Sequence, residues 1–125
     1  MSLLLDTHVV LWWMADELDS ISVPAKEAIA AEEGQVMISA VVIWEIAIKR
    51  QLGKLDAPPD LLAQLERSGV DLLPVTARHA DCVGTLPLHH RDPFDRLLVA
   101  QAQADGLPLV TADGHLDRYG IKVVW

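Results

Sequence analysis

The residues of this chain best equipped for chemistry are acids. Arg91-Asp92-Pro93-Phe94-Asp95-Arg96 sets two carboxylates three residues apart, while Asp6, Glu45 and Asp113 each follow an apolar run. Singly, each acid has a plain structural explanation. Asp92 before a proline reads as an N-cap, because proline favours the first helical position and aspartate accepts an orphan N–H. Asp95 then answers the positive end of the helix dipole. Asp6 or Thr7 caps the helix after the first strand, Glu45 pairs with Lys49 one turn on, and Asp113 beside Gly114 forms a turn. Their common position is harder to explain this way. Asp6, Glu45, Asp95 and Asp113 all fall within about two helical turns of a strand's carboxyl end.

Gathered together, four such groups repel. Two unit charges about 4 Å apart cost roughly 4 kcal/mol at an effective dielectric near 20. Several such pairs exceed what a domain holding ~5–15 kcal/mol of stability can spare. Either some acids carry protons or a cation sits among them. Carboxylate oxygens without a cysteine cluster suit Mg2+ or Mn2+ rather than zinc. His89 and His90 are adjacent, and sequence neighbours rarely face one ion, so neither is assigned to it. A hard cation can lower the pKa of a bound water, polarise a phosphoryl oxygen and stabilise a leaving oxygen, which amounts to in-line hydrolysis of a phosphodiester. No Ser-His-Asp set and no phosphate-binding glycine loop is visible.

The elements needed to position these acids are legible. Leu3-Leu4-Leu5 reads as a buried strand that turns at Asp6-Thr7 into a helix carrying Trp12 and Trp13. Ser22 opens a second helix, expected to stop at Gly34. Val36-Met37-Ile38 is a strand, Ser39 a cap, and Val41–Leu52 a helix with Glu45 on an apolar stripe, where a carboxylate is costly unless paired or metal-bound. Residues 60–68 form a short helix stopped by Gly69. Asp71–Val75 reads as an edge strand because Pro74 lacks an N–H, and Thr76 caps a helix in which His79 is expected to be a surface or partly packed histidine. The helix from Pro93 stops at Asp105-Gly106. Leu107–Val110 is a strand, a short helix follows around His115–Arg118, and Ile121–Trp125 is the last strand. Strands alternate with helices throughout, which predicts an α/β layer structure with a mostly parallel sheet. Ligands bind at the carboxyl edge of such sheets.

Composition bounds the alternatives. The 125 residues, 51% of them hydrophobic, suit one globular domain spanning 1–125. The apolar stretch Val36–Trp44 ends at Glu45, short of the roughly 20 residues a membrane helix needs. Met1-Ser2 leads straight into the first strand, so no signal peptide is expected. Cys82 stands alone, which excludes an internal disulfide and fits a reducing cytoplasm. The formal net charge of −8 excludes a sequence-independent DNA coater. It does not exclude a nucleic-acid enzyme, because a bound metal reverses the sign locally.

Four segments, taken together and in order, carry a resemblance: Leu-Leu-Leu-Asp6-Thr7-His8; Ser39-Ala-Val-Val-Ile-Trp44-Glu45-Ile46-Ala47; His90-Arg91-Asp92-Pro93-Phe94-Asp95-Arg96-Leu-Leu-Val-Ala100-Gln101-Ala102; and Val110-Thr111-Ala112-Asp113. They resemble the motifs of the PIN-domain family, and in detail those of the VapC toxins of bacterial type II toxin–antitoxin pairs. The resemblance implies a compact three-layer α/β/α sandwich and a Mg2+- or Mn2+-dependent endoribonuclease, held inactive by a cognate antitoxin and often dimeric. Carried over by position, Asp6, Glu45, Asp95 and Asp113 match the family's acidic metal site, and Thr7 and Thr111 match polar residues near it. Asp92 is a further acid that either touches metal or only caps. Where the family often has an aromatic after the last acid, this chain has Gly114-His115-Leu116.

The expected division of labour follows. Asp6 is the central ligand, Asp95 and Glu45 complete the shell, and Asp113 binds directly or through water. Thr7 or Ser39 orients the attacking water. Lys49, Arg50, Arg91 and Arg96 are candidates to hold RNA phosphates, with Arg96 equally placed to pair with Asp92 at i+4. One of Trp12 and Trp13 could face an exposed patch used for dimerisation or for an antitoxin helix. Two other functions fit the same residues: a DNA or flap nuclease or small phosphatase, and a non-catalytic module that captures a basic peptide.

Overall fold

The computed structural model describes residues 2–31 and 35–125, so the expected stop at Gly34 lies outside the described residues. Five strands form one sheet: β1 (Leu3–Leu5), β2 (Val36–Ser39), β3 (Asp71–Leu73), β4 (Leu109–Val110) and β5 (Val123–Val124). Their order is β3-β2-β1-β4-β5, and all four pairings are parallel. The chain builds outward from β1 to β3 and then returns to place β4 on the other flank of β1. Where the direction of winding reverses, the connections on the two sides of β1 leave in opposite senses and open a crevice at the carboxyl edge. Leu3, Leu4 and Leu5 are all buried, as expected for a parallel strand covered on both faces.

The helices are α1 (Thr7–Met14), α2 (Val23–Ala31), α3 (Ala40–Gln51), α4 (Leu61–Ser68), α5 (Ala77–Val83) and α6 (Pro93–Asp105), with 3-10 turns at Leu18–Ser20 and Gly114–Tyr119. Leu4, Leu5, Val9, Val10, Ile38, Leu65, Val99, Leu109 and Val110 form the fully buried centre. Each such aliphatic side chain contributes about 1.5–3 kcal/mol. Helix α6 buries five consecutive residues, Leu98 to Ala102, so it is surrounded rather than amphipathic. Asp92 caps it, Pro93 occupies its first turn, and Gly106 ends it in the left-handed region at φ 65°.

Three of the strands, β3, β4 and β5, are shorter than the sequence suggests. β3 stops at Leu73, before Pro74, and it is indeed an edge strand. β4 and β5 keep two paired residues each, because Pro108 gives no N–H and the chain turns at Thr111. His79, expected at the surface or partly packed, is buried at 3% exposure. Its Nδ1 accepts the Thr76 N–H and its Nε2 donates to Asp105 Oδ2 at 2.9 Å. Gln101, fully buried in α6, accepts from Ser39 Oγ, and its amide nitrogen donates to the Pro74 carbonyl. This polar thread ties β2, α5 and α6 together. No buried side-chain nitrogen or oxygen among the described residues lacks a partner.

Candidate acidic site

The carboxyl edge of the sheet opens into a depression of about 480 Å3. It is lined by Asp6, Thr7, His8, Trp12, Glu45, Lys49, Asp92, Asp95, Thr111, Ala112, Asp113 and Leu116. All four acids singled out by position therefore meet, although they come from four separate segments.

Asp6 follows β1 directly, and Thr111 follows β4, so the β1–β4 pairing sets them side by side. Asp6 Oδ1 accepts the Val9 N–H at 3.0 Å, and Oδ2 accepts the Thr111 hydroxyl. Asp6 thus caps α1 and enters the site with the same carboxylate. Burial pushes its pKa up; the Thr111 and Val9 hydrogen bonds and nearby His8 oppose the rise, and Glu45 adds to it.

Glu45 is carried on the second turn of α3, whose inward face is Val41, Val42, Glu45 and Ile46. It is only 5% exposed. The buried Thr7 hydroxyl donates to Oε1 at 2.5 Å, and Lys49 Nζ lies 2.5 Å from Oε2. The i+4 ion pair offered by the sequence exists, and it lines the depression. The Glu45 hydrogen bond raises the Lys49 pKa despite burial, and the charges of Glu45, Asp92 and Asp95 act in the same direction.

Asp95 sits in the first turn of α6. Its pKa is pushed up to about 6, first by burial and then by Asp92, with Glu45 and Asp6 adding and His90 opposing. Asp92 Oδ1 accepts the N–H groups of Phe94 at 2.8 Å and Asp95 at 3.1 Å, so its capping role is real, yet it also lines the depression. Asp113 Oδ1 accepts the His115 N–H at 3.0 Å, and the Asp113 N–H donates to Thr111 Oγ1 at 3.1 Å.

Several expected roles change. Ser39 is fully buried, its hydroxyl donating to Gln101 and accepting the Val41 N–H; it stands apart from the depression and cannot orient a water there. Arg96 neither pairs with Asp92 nor offers itself to phosphate. Its guanidinium donates to the carbonyls of Pro87, His90, Val83 and Leu86 and reaches Tyr119 Oη, which consumes its planar fork. Arg50 is exposed and donates to the Pro58 carbonyl, and Arg91 is exposed outside the lining. Of the four basic candidates only Lys49 lines the site. Trp12 and Trp13 are both half-buried, Trp12 tilted against Trp125 and His8 at the rim of the depression. Trp44 is more exposed than either, at 52%, with its ring edge-to-face on Phe94.

One neighbour of the acids was not legible in the sequence. His90 Nε2 lies 3.2 Å from Asp113 Oδ2 and 3.8 Å from Asp95 Oδ2. His89 is directed elsewhere, its ring packing edge-on against Tyr119. The pairing of His89 with His90 hid the fact that one of them can still reach the acids.

An all-parallel five-stranded sheet with acids converging at its carboxyl edge, from these four segments, is what a PIN domain contains. The chain matches the PIN domain over residues 3–122 and belongs to that family. It is 30% identical over 118 residues to Ribonuclease VapC22 of Mycobacterium tuberculosis, a span covering 92% of this chain and 89% of that one. The fold is similar to a chain of the DNA-bound VapBC of Salmonella typhimurium, with TM-score 0.72, 20% identity and coverage of 98% and 96% of the two chains. It is also similar to a chain of VapBC2 from Rickettsia felis bound to a promoter DNA fragment, with TM-score 0.73, 16% identity and coverage of 98% and 97%. Among the described residues no helix is long and apolar enough to cross a membrane.

Proposed function

We propose that this chain works as one nuclease domain, a divalent-metal-dependent endoribonuclease, and that it is the toxin of a toxin–antitoxin pair in the cytoplasm. The observation that carries the reading is the convergence of Asp6, Glu45, Asp92, Asp95 and Asp113 on one open depression, with Lys49 the only lysine or arginine among the lining residues. The donor set fits a hard divalent ion. It is rich in carboxylate oxygen, and burial first, with neighbouring carboxylates adding, raises the Asp6 and Asp95 pKa values, so a bound cation would relieve both costs. The ribonuclease relative and the toxin–antitoxin complexes of similar fold agree with this reading.

Asp6, Glu45 and Asp95 would hold Mg2+ or Mn2+, with Asp113 at the outer side; the ion, when bound, supplies Lewis-acid activation of water and phosphate. The protein's own part is orientation. Thr111 and the Val9 N–H fix the Asp6 carboxylate, and Thr7 and Lys49 fix Glu45, so these ligands lose little freedom on binding. The Lys49 ammonium, held at the rim by Glu45, would receive a phosphate oxygen of the incoming strand. The test is cleavage of total RNA by the purified chain, abolished by EDTA and by Asp6→Asn and restored by Mg2+ or Mn2+. Parallel arms with single-stranded DNA, a phosphomonoester and a basic peptide separate the alternatives. Absence of RNA cleavage under every metal condition would overturn the reading, and co-purification with the product of an adjacent short reading frame would identify the antitoxin.

A further inference from the structure

The two adjacent histidines part in space, and the loop that carries them is firmly held. Arg96 donates to the carbonyls of Val83, Leu86, Pro87 and His90. Leu86 is buried, and His89 is seated on Tyr119 with ring centroids 5.1 Å apart. With both ends of the loop tied, the His90 imidazole enters between two carboxylates from different elements. One ligand atom each of His90, Asp95 and Asp113 lies within 4.8 Å of the others. Around an octahedral ion with bonds of about 2.1 Å, neighbouring ligand atoms stand about 3 Å apart and opposite ones about 4.2 Å apart. The separations of 3.2 and 3.8 Å from Nε2 to the two carboxylates match neighbouring positions after a small adjustment. A simple histidine–aspartate pair needs one such contact, and here there are two.

We propose that His90 supplies a nitrogen ligand, through Nε2, to a divalent ion held between Asp95 and Asp113, and that this nitrogen favours Mn2+ over Mg2+. The proposal rests on the metal-dependent nuclease reading and refines it. Mg2+ keeps oxygen ligands and gives up water reluctantly, whereas first-row transition ions accept imidazole nitrogen in an otherwise carboxylate shell. Arg96 is then a positioning residue: it touches no ion but sets the loop from which His90 reaches the site.

Pulsed EPR of the Mn2+-loaded full chain reads the 14N coupling of a bound imidazole directly. The coupling is expected in the wild type, absent in His90→Ala, and retained in His8→Ala and His115→Ala, which remove the other histidines near the acids. Calorimetry is expected to show Mn2+ affinity of His90→Ala weakened at least ~10-fold, the loss that even an outer-shell partner can cause, with a smaller change for Mg2+. Circular dichroism checks the fold, and His90→Gln, which keeps the bulk and offers oxygen, replaces His90→Ala if the latter does not fold. A wild type that binds Mn2+ through oxygen alone overturns the proposal. So does coupling lost with His8→Ala, or equal weakening of both ions. RNA cleavage with an all-oxygen Mn2+ shell overturns the His90 assignment alone, whereas failure to bind either ion overturns the nuclease reading with it.

Discussion

Asp95→Asn separates a metal site from a structural ion-pair network. The Asp95 carboxyl is raised from 3.8 to about 6 by burial first and by Asp92 next. A folded-state pKa above the unfolded one means that the native protein holds this proton longer. The resulting stability is fully present below pH 3.8 and is lost as pH rises through about 6. At about 1.4 kcal/mol per pH unit, the gap corresponds to ~3 kcal/mol. The Asp95 side chain is 31% exposed, so solvent screening brings this to ~1–2 kcal/mol. Asparagine keeps the shape and removes the charge. In EDTA, the Asp95→Asn melting temperature is therefore expected to exceed that of the wild type by about 4–8 °C at pH 7.5, with the difference small at pH 4. Adding Mn2+ should reverse the order, because an ion that binds only the folded wild type stabilises it by mass action. Differential scanning fluorimetry across pH, with EDTA and with Mn2+, measures all three values. An Asp95→Asn variant no more stable than wild type at pH 7.5 in EDTA, or a difference unchanged between pH 4 and 7.5, refutes the argument that burial and neighbouring carboxylates destabilise the ionised Asp95.

Asp92→Ala is expected to lose about 1 kcal/mol of stability through its two capping bonds, while Asp92→Ser, which keeps a cap, retains RNA cleavage; loss of cleavage in the serine variant would make Asp92 a ligand. Thr7→Val leaves Glu45 Oε1 without its buried donor and should cost ~1–2 kcal/mol in urea denaturation, with weaker metal binding by calorimetry. Arg96→Lys keeps the charge but cannot span the four carbonyls, so amide exchange through residues 83–90 should quicken and stability fall by about 2 kcal/mol; unchanged exchange there would mean that the loop is held by other contacts.

The sequence was most readable where one local rule decided the outcome. Asp92-Pro93 marked the start of α6 and Gly106 its stop, Gly69 the stop of α4, and Leu3-Leu4-Leu5 the buried central strand. The four acids were legible as a set because the parallel alternation of strands and helices assigns every strand end to one edge. What escaped depended on contacts that no local pattern encodes. The full burial of His79, expected at most partly packed, was not legible because its partners, Asp105 and Gln101, lie on a different helix. Arg96 looked like a phosphate ligand because the carbonyls it binds come from an irregular loop, whose course a sequence does not specify. Ser39 was correctly a cap, but the buried amide of Gln101 gave its hydroxyl a second partner away from the water-exposed site.

The structural and chemical explanations of the aspartates turn out not to compete. Asp6 accepts the Val9 N–H with Oδ1, and Asp113 accepts the His115 N–H with its own Oδ1. Each backbone bond orients the carboxylate and leaves its other oxygen turned toward Thr111 or His90. A side chain already ordered by capping loses little entropy when an ion arrives, so a capping aspartate makes a better ligand than a free one on the same scaffold. Glu45 has no cap to serve, and there the same ordering comes from Thr7 and Lys49. Asp95 is the exception: among the described residues its side chain has only the 3.8 Å approach of His90. It is also the acid raised to about 6, by burial first and neighbouring carboxylates next, so a bound cation would relieve both costs and its replacement tests them directly.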